Sequence, residues 1–375
     1  MTLTPSSVDI FLTRHCNLRC GYCFMPKTVT RLSQEMGQVA IDWLLSVTPL
    51  DTATVSFYGG EPLMEWELMK ALTAYGQARA KSARKRFKIQ TTTNGTLMTD
   101  EIQGWIIANQ CHLTYSMDGM PETQNANRPG INGEGSYNAA ARRLQSLWRA
   151  GYFHTDRLTY TAENVHRLAD NVRHLWGLGS RGVMIGADVL SAWTDQRLCV
   201  LTNQLRMLSN DILASGPRNY RKLVQIEQLV HKFHERRGSR SRSRRQRQCG
   251  AGNNYMAIST NGDIYPCHRL LGAEAYRLGN IDGEICEDAA AVLQGLDCNS
   301  DHPGCFGCQA RKECSGGCIA VNLAANGSPT IPSQVQCAIA RIERDITAEF
   351  VRKCSGELML AILANHDHCG GRKCR

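Results

Sequence analysis

Through residues 8–214, six strand-like runs alternate with helical ones, and no other feature restricts the fold as much. "VDIFLTR" (8–14), "TATVSFYGG" (52–60), "FKIQTTTNG" (87–95), "HLTYSMDG" (112–119), "RLTYTA" (157–162) and "GVMIGAD" (182–188) read as strands. Helical spacing fills the gaps at 33–47, 66–84, 99–110, 136–151 and 163–178, and continues at 195–214. Ser33 is placed to cap the first helix, and Thr99 or Asp100 the third. Strands joined by crossover helices run parallel, so the fold class is α/β with a parallel sheet. In such sheets the chemistry gathers at the carboxyl ends of the strands. Four unusual stretches fall there: "RHCNLRCGYCF" (14–24), the glycine turn at 59–60, "TNG" (94–95 with Thr93) and "SMDG" (116–119).

The cysteines carry the second argument. Seventeen are present, no secretory signal opens the chain, and no apolar run approaches a membrane span. A cytoplasmic location is expected, where short-spaced cysteines mean metal or cluster binding rather than disulfides. Cys16, Cys20 and Cys23 form C-x3-C-x2-C, one ligand short of the usual four. After residue 248 the texture turns rich in cysteine and glycine, and helical periodicity fades until "PSQVQCAIARIERDITAEFVRK" (332–353). Cys249 and Cys267 are followed by C-x2-C-x5-C-x3-C (Cys305, Cys308, Cys314, Cys318) and by Cys337. That pattern suits either paired zinc knuckles or iron–sulfur clusters. The expected domains are 1–215, a helix and Arg/Ser-rich linker at 216–248, a cysteine-bound domain at 249–340, and a C-terminal helix and tail at 341–375.

The net charge of +9 is local, because "RRGSRSRSRRQRQ" (236–248) alone holds seven arginines. It reads as a solvated insert or as a dock for an acidic peptide. No aromatic residues interleave with the arginines, so nucleic-acid stacking is not supported. Cys111, Cys199, Cys286 and Cys354 lack partner spacing and read as ordinary thiols. The tail "HDHCGGRKCR" (366–375) reads as a mobile terminus, with metal binding through His366, His368, Cys369 and Cys374 as the alternative.

The C-x3-C-x2-C loop with Tyr22 before its last cysteine, together with "GGEP" at 59–62, resembles the radical S-adenosylmethionine (SAM) enzymes. The resemblance implies a partial (β/α)6 TIM-like barrel whose three cysteines hold a [4Fe–4S] cluster. It also implies that SAM takes the open iron through its amino and carboxylate groups. By position it implies SAM contacts at Tyr22, Gly59, Gly60, Glu61, Asn94, Ser116 and Arg128, with Asp118 and Arg128 as a charged pair near the active site.

The later cysteines resemble the SPASM domain, which implies two auxiliary [4Fe–4S] clusters and three in all. Cys305, Cys308, Cys314 and Cys337 would complete the distal one, and Cys249, Cys267 and Cys318 the proximal one. Anaerobic sulfatase maturases have a further cysteine where this chain has Tyr255, and an Asp base where it has His268. The proximal cluster thus keeps an open iron or takes a ligand such as Cys298, and His268 becomes a base, a substrate contact or a structural residue. These departures favour a maturase of ribosomally made peptides over a formylglycine-forming enzyme. A non-catalytic electron-transfer protein is a third class, disfavoured by the intact cysteine loop and "GGEP". The expected partners are a precursor peptide, a separate small leader-binding protein, and a flavodoxin- or ferredoxin-type reductant.

Overall fold

The computed structural model describes residues 3–217, 222–235, 250–296, 302–314 and 316–364. The arginine run at 236–248, Cys249, Cys298 and the tail at 366–375 lie outside the described residues. The described elements begin β1 (Ser7–Thr13), α1 (Gln34–Val47), β2 (Thr52–Gly59), α2 (Trp66–Ser82), β3 (Arg86–Thr93), α3 (Asp100–Ala108), β4 (His112–Ser116), α4 (Pro121–Asn127) and α5 (Tyr137–Arg149). They continue with β5 (Thr155–Tyr160), α6 (Leu168–Gly177), β6 (Gly182–Ala187), α7 (Asp195–Ser215), β7 (Lys222–Leu223) and α8 (Val224–Glu235). The rest are β8 (Tyr255–Ile258), β9 (Asp263–Tyr265), β10 (Gly279–Asn280), α9 (Ala289–Gly295), α10 (Ile319–Asn326), α11 (Gln334–Lys353) and α12 (Gly356–Ala364). The expected caps form: Ser33 accepts from Met36 N–H and Thr99 from Ile102 N–H.

The chain divides into two compact units. The first comprises 1–117, 124–154 and 246–297; the second comprises 118–123, 155–245 and 298–375. Residues 249–340, set apart by their cysteine content, are therefore shared between the two.

In the first unit β1, β2, β3 and β4 pair in parallel in that order. On the other side of β1, β8 joins in parallel, and β9 and β10 follow antiparallel. The registers place Val8, Ile10, Val55, Phe57, Ile89, Thr91 and Leu113 on one fully buried face. The opposite face carries Asp9, Ser56, Tyr58, Gln90, Thr92, Thr114 and Ser116. A parallel sheet buried on both faces reads as continuous apolar sequence; here the second face is mostly polar, with Phe11 and Ala257 as buried apolar members, and its polar groups need polar partners or ligand. In the second unit β5, β6 and β7 pair in parallel, and α7 packs against α6 and α11.

The sequence reading gave no strands after residue 248, yet β8, β9 and β10 are there. They are two to four residues long, too short to show a period of two. Among the described residues, no helix is long and apolar enough to cross a membrane.

Candidate active site

The cysteine loop leaves β1 and is fastened on several sides. Leu32 N–H returns to Leu12 O at 2.8 Å and Arg14 N–H to Thr30 O at 3.1 Å. Arg19 N–H donates to Pro129 O at 2.8 Å and Gly21 N–H to Asn127 O at 3.1 Å. The "NRP" stretch at 127–129 thus holds the loop through backbone carbonyls, and the Arg128 guanidinium lies 5.3 Å from the Tyr22 ring centre. Asn17, inside the loop, accepts from Asn94 Nδ2 at 3.0 Å and donates to Thr96 Oγ1 at 2.8 Å. Asn94 Oδ1 also accepts from Thr96 N–H at 2.9 Å. The "TNG" turn after β3 is therefore stitched to the cysteines.

Gly59 and Gly60 have a specific steric reason. A Cβ on Gly59 would stand 2.4 Å from Thr13 O, and one on Gly60 2.1 Å from His15 O. The backbone they admit is that of the cysteine loop, and Gly60 and Glu61 donate to Thr13 O and His15 O at 2.9 Å. Glu61 is 1 % exposed. Its carboxylate accepts from Leu63 N–H (3.1 Å), Thr93 Oγ1 (2.6 Å) and Asn94 N–H (2.8 Å). Burial outweighs these donors and raises its pKa.

Cys16 is buried, and its thiol is pushed up to about 11 by burial, with Lys27 opposing. Lys27 Nζ lies 3.0 Å from Cys23 Sγ. A thiol kept protonated by burial is converted to thiolate by a bound metal ion, and a cation beside Cys23 suits a thiolate there. Among the described residues, no three His, Cys, Asp or Glu side chains converge as a single-ion site. The donor set on this loop is three thiols, which suits an iron–sulfur cluster with one position left to another ligand.

Ser116 closes β4, 8 % exposed. Asp118, fully buried in the second unit, accepts from Thr159 N–H of β5 at 2.9 Å.

His268 stands in a short 3-10 turn after Cys267, on the polar face of the first unit. Its Nδ1 lies 2.8 Å from Asp9 Oδ2, and the Tyr255 hydroxyl contacts both groups. Its ring stacks on Tyr58 at 4.9 Å and 17°, and Phe24, next to Cys23, is 5.7 Å away. The Tyr255 phenol is raised far above its usual range, by burial first and then by Asp9.

The sequence reading missed Asp9, Asn17, Lys27 and Tyr58 as site residues, and took Thr93 only as part of "TNG". A lone acid inside the apolar "VDIFLTR" was a signal for the first; the others carry no signature outside the fold.

In the second unit the cysteines are held by short turns. Cys305 ends one 3-10 turn and Cys308 immediately precedes the next. Cys314 N–H donates to Ala310 O at 2.8 Å and Cys318 N–H to Gln336 Oε1 at 3.0 Å. Burial raises the Cys337 thiol, and Cys314, Cys305 and Cys308 raise it further with Arg341 opposing, so these three lie within electrostatic reach of Cys337. Asn322, fully buried on α10, donates to Gly316 O and Pro329 O and accepts from Ser333 N–H.

Residues 10–175 match the family model described as the Radical SAM superfamily. The chain is 26 % identical over 342 residues to the serine-type anaerobic sulfatase-maturating enzyme of Klebsiella aerogenes, covering 83 % of this chain and 79 % of that protein. It is 25 % identical over 330 residues to the mycofactocin maturase MftC of Mycolicibacterium smegmatis, covering 83 % and 77 %. Among solved structures, anSMEcpe with bound AdoMet superposes with a TM-score of 0.79 at 17 % identity, over 96 % of this chain and 99 % of that one. Streptococcus suis SuiB bound to precursor peptide SuiA gives 0.62 at 16 %, over 89 % and 76 %. At these identities the structural likeness speaks for the fold, an α/β partial barrel with a parallel sheet. The cysteine loop, the buried glutamate of the glycine turn and the family match agree: residues 10–175 of this chain are a radical SAM domain.

Proposed function

We propose that this protein is a radical SAM maturase that abstracts hydrogen from a ribosomally made precursor peptide. Cys16, Cys20 and Cys23 would hold a [4Fe–4S] cluster and SAM. When bound, that pair supplies one electron and a 5′-deoxyadenosyl radical from SAM. The chain's own part is to place and dry the site. Gly59 and Gly60 seat the cysteine loop against β2, so the three thiols start from a fixed frame. Glu61, pinned by three donors, fixes the turn that would face the methionine ammonium; Asn94, Ser116, Arg128 and the Tyr22 backbone would border the rest of SAM. Asp118 holds β5 through its backbone, and a catalytic role for it would act through that strand. His268 is the side chain best placed to meet substrate, because it stands among Asp9, Tyr58 and Phe24 beside the cysteine loop.

Cys305, Cys308, Cys314 and Cys337 would hold a distal auxiliary cluster, and Cys249, Cys267 and Cys318 a proximal one, in a SPASM arrangement with three clusters in all. The electrostatic influence of Cys305, Cys308 and Cys314 on Cys337 supports the distal set. A flavodoxin- or ferredoxin-type reductant, a separate leader-binding protein and a cytoplasmic setting complete the reading.

The observation that carries the peptide substrate is similarity over 83 % of the chain to MftC and to a sulfatase-maturating enzyme. Formylglycine formation is the second reading, favoured by the sulfatase-maturating relative. It is disfavoured by His268 and Tyr255, which are engaged with each other and Asp9. The test is anaerobic incubation of the reconstituted enzyme with SAM, dithionite and a panel: short precursor peptides encoded near this chain, and a sulfatase-derived peptide. A mass change confined to a precursor peptide is expected. Formylglycine in the sulfatase peptide alone would replace the first reading with the second.

A further inference from the structure

Tyr255 and His268, which stand where sulfatase maturases have other residues, are thirteen residues apart in sequence and touch in space. Tyr255 opens β8 in register with Ser7 of β1, which turns its side chain onto the face that carries Asp9. The phenol, the Asp9 carboxylate and His268 Nδ1 then meet in one mutual contact. The Asp9 side chain is 7 % exposed and that of His268 28 %.

Hydrogen-bonding capacity narrows the possibilities. An ionised carboxylate only accepts, a phenol donates one proton, and a neutral imidazole donates from one nitrogen and accepts at the other. With the imidazole neutral, one arrangement avoids two lone pairs facing each other. The phenol donates to Asp9 Oδ2, and Nδ1–H is directed at Asp9 and the phenol oxygen. The accepting lone pair of His268 is then on Nε2, since the bond made by one ring nitrogen sets the role of the other. Tyr58 covers one face of the ring and Phe24 lies near it, so rotation is restricted as well. Burial of Asp9 makes the contact costly to leave half-made.

We propose that Asp9 and Tyr255 are positioning residues that lock His268 with Nδ1 inward, so that Nε2 accepts a hydrogen bond from an O–H, S–H or N–H group of the substrate residue. This rests on the peptide-maturase reading for the identity of the substrate. The positioning itself does not. The two departures thus form one unit: a phenol at 255 leaves no cysteine there and supplies the second oxygen that fixes the imidazole at 268.

The reconstituted holoenzyme tests it directly. Diethyl pyrocarbonate acylates accessible neutral imidazole nitrogen, and peptide mapping reports the rate at His268. Wild type is expected to react at His268. Tyr255→Phe and Asp9→Asn should each slow that reaction roughly three- to tenfold, the weight of one ordinary hydrogen bond. The double variant should be no slower than the slower single one, because both act through one unit. Unreactive His268 in wild type, unchanged rates in both singles, or multiplicative effects would each overturn the inference. Melting temperature and iron content are read on every variant, and a variant that loses either is replaced by Tyr255→Leu or Asp9→Ser.

The peptide panel separates the two readings. If a precursor peptide is turned over, both variants should raise the ratio of 5′-deoxyadenosine to product about tenfold; an unmoved ratio sinks the positioning role. If no peptide is turned over but His268 acylation still depends on Asp9 and Tyr255, the peptide reading fails and the positioning stands.

Discussion

The two cysteine-bearing regions are built by opposite means. The loop 14–24 is clamped by strand ends, by Asn17 with Asn94 and Thr96, and by carbonyls of 127–129. Among its described residues the segment 302–318 carries short 3-10 turns, and side chains from elsewhere tie it down: Asn322 through Gly316 O, Gln336 on α11 through Cys318 N–H, and Lys232 through Glu313 O. The first region has its shape from backbone hydrogen bonding to a sheet. The second has little apolar burial to draw on: Phe306 is 59 % exposed, and loop-rich segments of this kind depend on bound metal for their fold. A radical site has to hold SAM in one pose, and a prefixed frame serves that; an auxiliary cluster has only to be held.

The sharpest way to break this contrast is Gly60→Ala. Its Cβ would enter the His15 carbonyl at 2.1 Å, and backbone on that side cannot yield without moving the cysteines. SAM cleavage, read as 5′-deoxyadenosine formed with dithionite, should fall at least about a hundredfold. Activity within twofold of wild type would show that the clamp does not matter.

Iron removal comes next in size. Chelation should speed hydrogen exchange in 302–314 by roughly tenfold or more, and change β1, β2 and the amides of 12–15 much less. Equal acceleration in both regions would erase the distinction drawn between them.

Asn322→Ala removes three hydrogen bonds from a fully buried amide. A loss of about 2 kcal/mol is expected, since buried partners are left unpaired. Iron per chain should drop while the SAM-dependent cluster signal in electron paramagnetic resonance persists. Loss of that signal in step with the iron would instead couple the two regions.

The smallest effect concerns Glu343 on α11, whose carboxyl is pushed up from 4.5 to about 7, chiefly by burial, against Lys232 and Arg157. Between those values the folded chain keeps a proton that the unfolded chain has released. Stability from this group is therefore present below pH 4.5 and is lost as pH rises to 7. Glu343→Gln should flatten that loss, so its melting temperature should gain on wild type by about 2–4 °C at pH 8 relative to pH 5. A constant difference across that range would remove Glu343 from the account.

The strands and helices of the β-α half were legible because their residues obey a period. Thr91 and Leu113 share a buried face for the same reason that Val55 and Phe57 do, and Ser33 and Thr99 cap where their hydroxyls reach a free N–H. The C-x3-C-x2-C loop and "GGEP" were legible because the ligand chemistry needs those residue types close in sequence. The pairing of β8 with β1 was not, since four residues with no neighbour in sequence announce nothing about their partner. The reason for Gly60 was visible only in part: its need for no Cβ was a fair expectation, but the group it makes room for is the carbonyl of His15.

By itself the sequence determined the α/β class, the rim where its unusual residues collect, and a thiol site one ligand short, because each is a matter of local spacing. Only the tertiary structure decided that Asp9, Tyr255 and His268 form one unit, for Asp9 lies 259 positions from His268. It also decided that Glu61 is a buried acceptor and that Asn94 is tied to Asn17. Such contacts follow from register between distant strands, and register is fixed by the packing of a whole sheet face rather than by any one stretch of residues.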